Sequence, residues 1–233
     1  MDQVQTHRTS FVRRTSDPRG GSSIQPTTTP AIGVVWDLSD LFSGPDDPRI
    51  AAELDAIDRD AELFAARYRG TIDVAGGPTP EWLRAGIEAL EDLSERQWRI
   101  SGYAHLNYDQ DTRDNVARAL SQRVEERLTS PRNAVVFFDL EWMAVADEAA
   151  TRLIGDPTLQ AYRHYLEAQR SFRSHRLSEV EERLANEKDV TGSSAWARLH
   201  TETTAALEVR VSLDDGEEHL NLSRSEEHTS ELQ

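Results

Sequence analysis

The sequence predicts a mostly α protein: an antiparallel helical array of about seven helices, one β-hairpin near the C-terminus and a disordered N-terminus. Three observations predict it. Between residues 48 and 206 apolar residues recur at spacings of three and four, the period of one helix face. Those stretches open on Asp-Pro, Thr-Pro or Ser-x-x-Glu, which are helix N-terminal signals. Strict apolar–polar alternation appears only after residue 206, around Asp215-Gly216.

Residues 1–33 are rich in Ser, Thr, Pro, Gly and Arg without periodicity and are read as a disordered extension, or as sequence upstream of the true start. Structure is expected to begin at "GVVWDLSDLFSGPDDP", where Val34, Val35, Trp36, Leu38 and Leu41 supply apolar anchors. Asp47 is placed to cap a first helix with Pro48 at its first position, where a missing N–H costs nothing. Ile50, Leu54, Ile57, Ala61, Phe64 and Tyr68 form its apolar stripe, and Gly70 suits its C-terminal end. Thr79-Pro80 starts the second helix, with Leu83, Ile87, Leu90 and Leu93 on one side, running towards Tyr103 or Leu106. The short Gly/Pro connection predicts that these two helices are antiparallel.

A third helix carries Val116, Leu120, Val124 and Leu128 at steps of four and is expected to close at Pro131. The following "NAVVFFDLEWMAVADEAATRLIG" is apolar nearly all round as far as Asp147, the pattern of a central helix, with Gly155 at its end. Asp156-Pro157 opens another helix with Leu159, Tyr162, Leu166 and Phe172. Ser178 and Glu181 form a capping box for a short acidic helix, and a last helix holds Trp196, Leu199 and Leu207. In "LEVRVSLDDGEEHLNLS" the period then changes to two, and a two-stranded hairpin of this kind needs something to pack on.

The chain has 233 residues, 29% of them charged, and a net charge of −16. The first 33 residues hold four Arg against two Asp and the last ten hold one Arg against three Glu, so the acidity lies between them. An acidic body argues against nucleic acid as a partner, because that partner requires a basic footprint. No apolar run reaches membrane-spanning length, and the N-terminus lacks the apolar core of a secretory signal, so a cytoplasmic protein without membrane partners is expected. Cysteine is absent, which removes disulfides, cysteine nucleophiles and thiolate metal sites. Lys188 is the one lysine among 26 basic residues, a bias that points to a GC-rich genome.

Zinc peptidase chemistry requires H-E-x-x-H, which sets two imidazoles on one helix face and supplies a glutamate base. None of the seven histidines (7, 105, 164, 175, 200, 219 and 228) begins that pattern. The nearest arrangements are His164 with Glu167, three apart on one face, and His200 with Glu202, which diverge. Surface hydrogen bonding is the ordinary role for both. Asp139 and Glu141 lie inside the apolar "FFDLEWMAVADE" stretch, so at least one is expected to be buried or to line a groove; two apart, they point apart on a helix and fail as paired catalytic carboxylates, and a buried ion pair with arginine is the ordinary role. Gly-Ser-Ser in "VTGSSAW" reads as an N-cap, with anion binding as the less ordinary alternative. Asn221-Leu222-Ser223 matches a glycosylation sequon by pattern only. The sequence has no nucleophile elbow, P-loop or dinucleotide fingerprint. No catalytic, metal or substrate-binding residue is therefore assigned.

Several blocks nevertheless resemble a known family. "VVWDLSDLFSGPDDP", "YAHLNYDQDT", "RLTSPRNAVVFFDLEWMAVADE", "YRHYLEAQRSFRSHRLSEVEERLANEK" and "VTGSSAWARLHTETTAALEV" are similar, in order, to the N-terminal half of oligoendopeptidase F, a thimet-oligopeptidase-like zinc peptidase. The resemblance implies a helical region from 34 to 206, then a hairpin from 207 to 223, forming part of the wall of a deep channel. It implies a parent enzyme that cleaves short peptides with zinc held by H-E-x-x-H and a downstream glutamate. Those residues belong to the C-terminal half of the family, so the chain is expected to be an inactive fragment that binds no zinc itself. The alternative is a stand-alone helical binding module without catalysis.

The last ten residues, "RSEEHTSELQ" from Arg224 to Gln233, back-translate as AGA TCG GAA GAG CAC ACG TCT GAA CTC CAG. That string is similar to a common sequencing-library adapter at every codon. Residues 224–233 are accordingly expected to be a non-native tail marking a truncated parent sequence.

Overall fold

The computed structural model describes residues 37–213 and 216–221. The expectations for residues 1–36, including the Val34–Trp36 anchors, and for the tail at 224–233 lie outside the described residues, as do Asp215 and part of the sequon. The described chain is mostly helical. Its first three helices are α1 (Pro48–Tyr68), α2 (Pro80–Gln110) and α3 (Asn115–Val135).

Each of these helices begins where a side chain satisfies an orphan backbone donor. Asp47 accepts from the Arg49 N–H at 2.9 Å, Thr79 from the Trp82 N–H at 3.2 Å, and Asp114 from the Val116 N–H at 2.8 Å. The six residues of the predicted α1 stripe are all buried. Gly70 follows the helix with φ +74°, a left-handed conformation suited to glycine. α2 extends past Leu106 because Tyr103, Ala104 and Tyr108 carry its buried face onward.

α1–α3 pack against one another, and α2 runs antiparallel to α1, since the start of each shares a cluster with the later part of the other. Ile50, Leu54 and Ile57 share one buried cluster with Ile100 and Tyr103 of α2 and Leu120, Val124 and Leu128 of α3. Phe64 and Tyr68 share a second cluster with Leu83, Ile87 and Leu93 of α2. Val116, expected on the α3 stripe, is 53% exposed; the buried face starts instead at Ala117.

Pro131 does not close α3, which continues to Val135. An interior proline costs a helix about 3 kcal/mol. Carrying the chain onward buries Phe137 and Phe138, whose removal from water contributes about 1.5–3 kcal/mol each. The expected single central helix is instead two, α4 (Phe137–Ala144) and α5 (Asp147–Ile154). Arg170 accounts for the break. Its guanidinium donates to the Trp142 carbonyl at 3.1 Å, which the Val145 N–H also reaches at 3.3 Å, and to the Val145 carbonyl at 2.9 Å, capping the end of α4.

Asp156-Pro157 opens a 3₁₀ turn, Pro157–Tyr162, before α6 (Arg163–Ser171). Leu159 and Leu166 are buried in the second cluster, whereas Phe172 is 62% exposed. A 3₁₀ turn at Arg173–His175 leads to α7 (Glu179–Thr191) and α8 (Ser193–Ala206). The capping box of Ser178 and Glu181 is present at the start of α7. Strands β1 (Glu208–Leu213) and β2 (Gly216–Asn221) pair antiparallel, with Glu208 opposite Asn221 and Arg210 opposite His219.

Candidate functional site

A groove of about 930 Å³ runs between α2 and the α3–α4 junction. Leu90, Trp98 and Leu106 line it from α2, and Val135 and Val136 face them. Trp98 is 76% exposed, an unusual position for a large aromatic side chain. Helical spacing explains the lining, because positions 90, 94, 97, 98, 101 and 105 keep to one side of α2. Its polar groups include Gln97, which is buried, together with Arg132 and Asp139.

Asp139 is held in place by α4. Phe137, Phe138, Trp142 and Met143 bury the helix, and Asp139 is left half-buried among them at the groove wall. The Tyr165 hydroxyl from α6 donates to Asp139 Oδ1. Burial pushes the Asp139 carboxyl up from its ordinary value, and the Tyr165 hydrogen bond works against that rise. Burial, and then the Asp139 charge, push the Tyr165 phenol up.

Among the described residues neither carboxylate of this stretch makes the expected ion pair with arginine. Glu141 accepts from the backbone N–H of Gly70 at 2.7 Å and of Ile72 at 3.1 Å, which ties the α1–α2 connection to α4. Backbone donors satisfy this carboxylate without a second charge having to be desolvated. Arg170, which packs against this helix, serves carbonyls and Asp147 instead, with its guanidinium 5.5 Å from the Trp142 ring centroid.

The histidines are dispersed. His105 lines the groove, but its Nδ1 lies 2.7 Å from the Ser101 carbonyl oxygen. His164 is exposed, and its neighbour Glu167 pairs with Arg163 at 2.8 Å. Glu202 accepts from the Tyr108 hydroxyl at 3.1 Å and pairs with Arg118 at 3.2 Å, while His200 is exposed. Among the described residues no three His, Asp or Glu side chains gather as metal ligands would, and the nearest carboxylates already serve arginines. The described residues therefore do not fit a zinc ion. Ser193 and Ser194 do not cap α8; their hydroxyls donate to Asp189 at the end of α7.

The sequence expected Asp139 or Glu141 to be buried or to line a groove, and Asp139 lines this one, but the Tyr165–Asp139 contact was not predicted. On α2 the local signal for the groove is Trp98, set among Ser94, Gln97 and Ser101. Asp139 and Tyr165 are 26 residues apart, and only the return of α6 onto α4 brings them together.

Comparison with known proteins follows the same region. The family described as Oligopeptidase F matches residues 141–208, from Glu141 in α4 to the start of β1. Oligopeptidase PepF of Bacillus subtilis (strain 168) is 27% identical over 164 residues, which cover 69% of this chain and 23% of that protein. The chain thus spans less than a quarter of that relative's length. A crystal structure of a candidate peptidase from Chlamydophila abortus aligns with a TM-score of 0.46 at 16% identity, covering 82% of this chain and 32% of the other.

Proposed function

We propose, on the premise that the chain is oligopeptidase F-like, that it forms part of the wall of a substrate channel in a zinc peptidase acting on short peptides. The match over residues 141–208 carries this reading. The matched residues include the second half of α4 and all of α5–α8, which fold back on the helices that line the groove. A concave, largely apolar surface with a few polar groups suits an extended peptide, whose side chains need apolar contact and whose backbone needs scattered hydrogen bonds. In this reading residues 34–206 are the helical wall, 207–223 lead onward, and 224–233 are non-native. The zinc ligands belong to a following region, and the working enzyme is cytoplasmic.

The purified chain, supplied with zinc and a short quenched-fluorescent peptide, is expected to show no chelator-sensitive cleavage. Zinc-dependent turnover by these 233 residues would sink the proposal. The genomic reading frame after the Ser223 codon is expected to continue into H-E-x-x-H. A natural stop codon there would favour a stand-alone binding module, a reading supported by the chain's own two buried clusters.

A further inference from the structure

α7 and α8 are attached to the rest of the protein by their polar sides. On α7 the partly covered positions are Glu179, Glu182, Asn186 and Val190, one helical stripe. Glu179 accepts from Arg69 at 2.7 Å, and the Asn186 amide donates to Asn133 at 2.9 Å. On α8 the covered stripe includes Ser194, Arg198 and Glu202. Arg198 pairs with Glu125 at 2.8 Å, and Glu202 meets Tyr108 and Arg118.

Val190 apart, the large apolar side chains point the other way. Val180 is 77% exposed, Leu184 52%, Trp196 70% and Leu199 50%. Val180 and Leu184 are four apart, and Trp196 and Leu199 three apart, so each pair shares a face. Neither helix buries a single residue. An amphipathic helix on the surface of a monomer normally does the reverse, with apolar side inward and polar side to water. An inverted pair of helices, each with an exposed apolar face, is the pattern of an interface awaiting its other half.

We propose that the outer face of α7 and α8 is a docking surface for the part of an oligopeptidase F-type polypeptide to which this chain does not align. The inference rests on the oligopeptidase F-like reading above. The occupant follows from two observations. Both helices lie wholly within the matched residues 141–208, so the relatives share this stretch. More than three-quarters of the B. subtilis relative lies outside its alignment to this chain, which supplies ample polypeptide to cover the face. The surface that docks there is apolar and complements Val180, Leu184, Trp196 and Leu199, while Arg69, Asn133, Glu125 and Arg118 hold the helices from behind.

The test mixes the full 233-residue chain with the part of the B. subtilis protein outside the match and follows binding by calorimetry and analytical ultracentrifugation. A one-to-one complex is expected. V180E/L184E on α7, and separately W196S/L199Q on α8, should each weaken it about 100-fold, the scale of losing apolar anchors at the centre of an interface. R84E on α2 should leave it unchanged. Circular dichroism should show every variant as helical as the parent chain, because the altered side chains are exposed. No complex, or one indifferent to both double variants, overturns the inference. Self-association of the chain that V180E/L184E abolishes also overturns it, by assigning the face to a second copy. The readout is binding, so a complex that forms without cleaving peptides upholds the docking surface and counts against the peptidase reading alone.

Discussion

Asp47 and Asp139 show opposite ways for a fold to treat a carboxylate. Asp47 accepts from the Arg49 side chain, from the backbone N–H of Ser43 and Arg49, and from the Ser43 hydroxyl. The Arg49 side chain foremost, with those N–H donors, holds its carboxyl well below the usual carboxylate range. A depressed folded-state value means that the unfolded chain binds the proton more readily. The stabilisation is therefore present above about pH 4, the unfolded value, and is lost as pH falls through the folded one. Asp139 has the opposite sign, because burial raises its folded-state value. There the folded state binds the proton more readily, and stability falls as pH rises through that value. D47N is expected to lower the urea midpoint near neutrality, with the deficit shrinking below pH 4. D139N keeps an oxygen to accept from Tyr165 and removes the buried charge. Its midpoint should match the parent's in acid and exceed it at pH 7. A D139N midpoint below the parent's at pH 7 would show that the charge, not its burial, governs this site.

At the scale of elements, a close packing constraint lies where α2 meets α4. A Cβ added at Gly86 would sit 2.7 Å and 2.8 Å from two atoms of the Phe138 ring. That ring cannot withdraw, since Phe64, Tyr68 and Phe137 surround it at centroid distances of 5.4, 6.2 and 6.5 Å. G86A should therefore cost about 1–3 kcal/mol through overpacking, outweighing the gain of up to about 1 kcal/mol in helix propensity. Gly102, on the same helix, has nothing within 4 Å of its added Cβ. G102A should keep the propensity gain, and urea unfolding of the two variants checks the contrast. If G86A proves as stable as the parent chain, α2 and α4 do not pack this closely.

The whole molecule joins two buried clusters through α1 and α2, both of which contribute to each. The groove forms between α2 and the α3–α4 junction, and the apolar faces of α7 and α8 turn away from the α3 side that holds them. Among the described residues no helix is long and apolar enough to cross a membrane. The described donors do not gather into a metal site, so prolonged dialysis against EDTA should leave the thermal midpoint of the chain unchanged. A fall of several degrees, restored by zinc, would reveal a bound ion.

By itself the sequence determined the local features. Asp47-Pro48, Thr79-Pro80 and Ser178–Glu181 set helix starts, and the stripe from Ile50 to Tyr68 set the buried face of α1, because caps and helical period act within a few residues. Tertiary structure decided what depends on distant partners. It carried α3 through Pro131, since the burial of Phe137 and Phe138 outweighs a local penalty. Likewise it broke the next helix where Arg170 reaches back to its carbonyls, and it gave Asp139 a tyrosine and Glu141 two backbone donors in place of arginine. It also turned the apolar sides of α7 and α8 outward, because ion pairs from Arg69, just after α1, and from Arg118 and Glu125 of α3 hold their polar sides inward. Periodicity reveals that a helix has an apolar face; only the packed chain shows whether that face is filled.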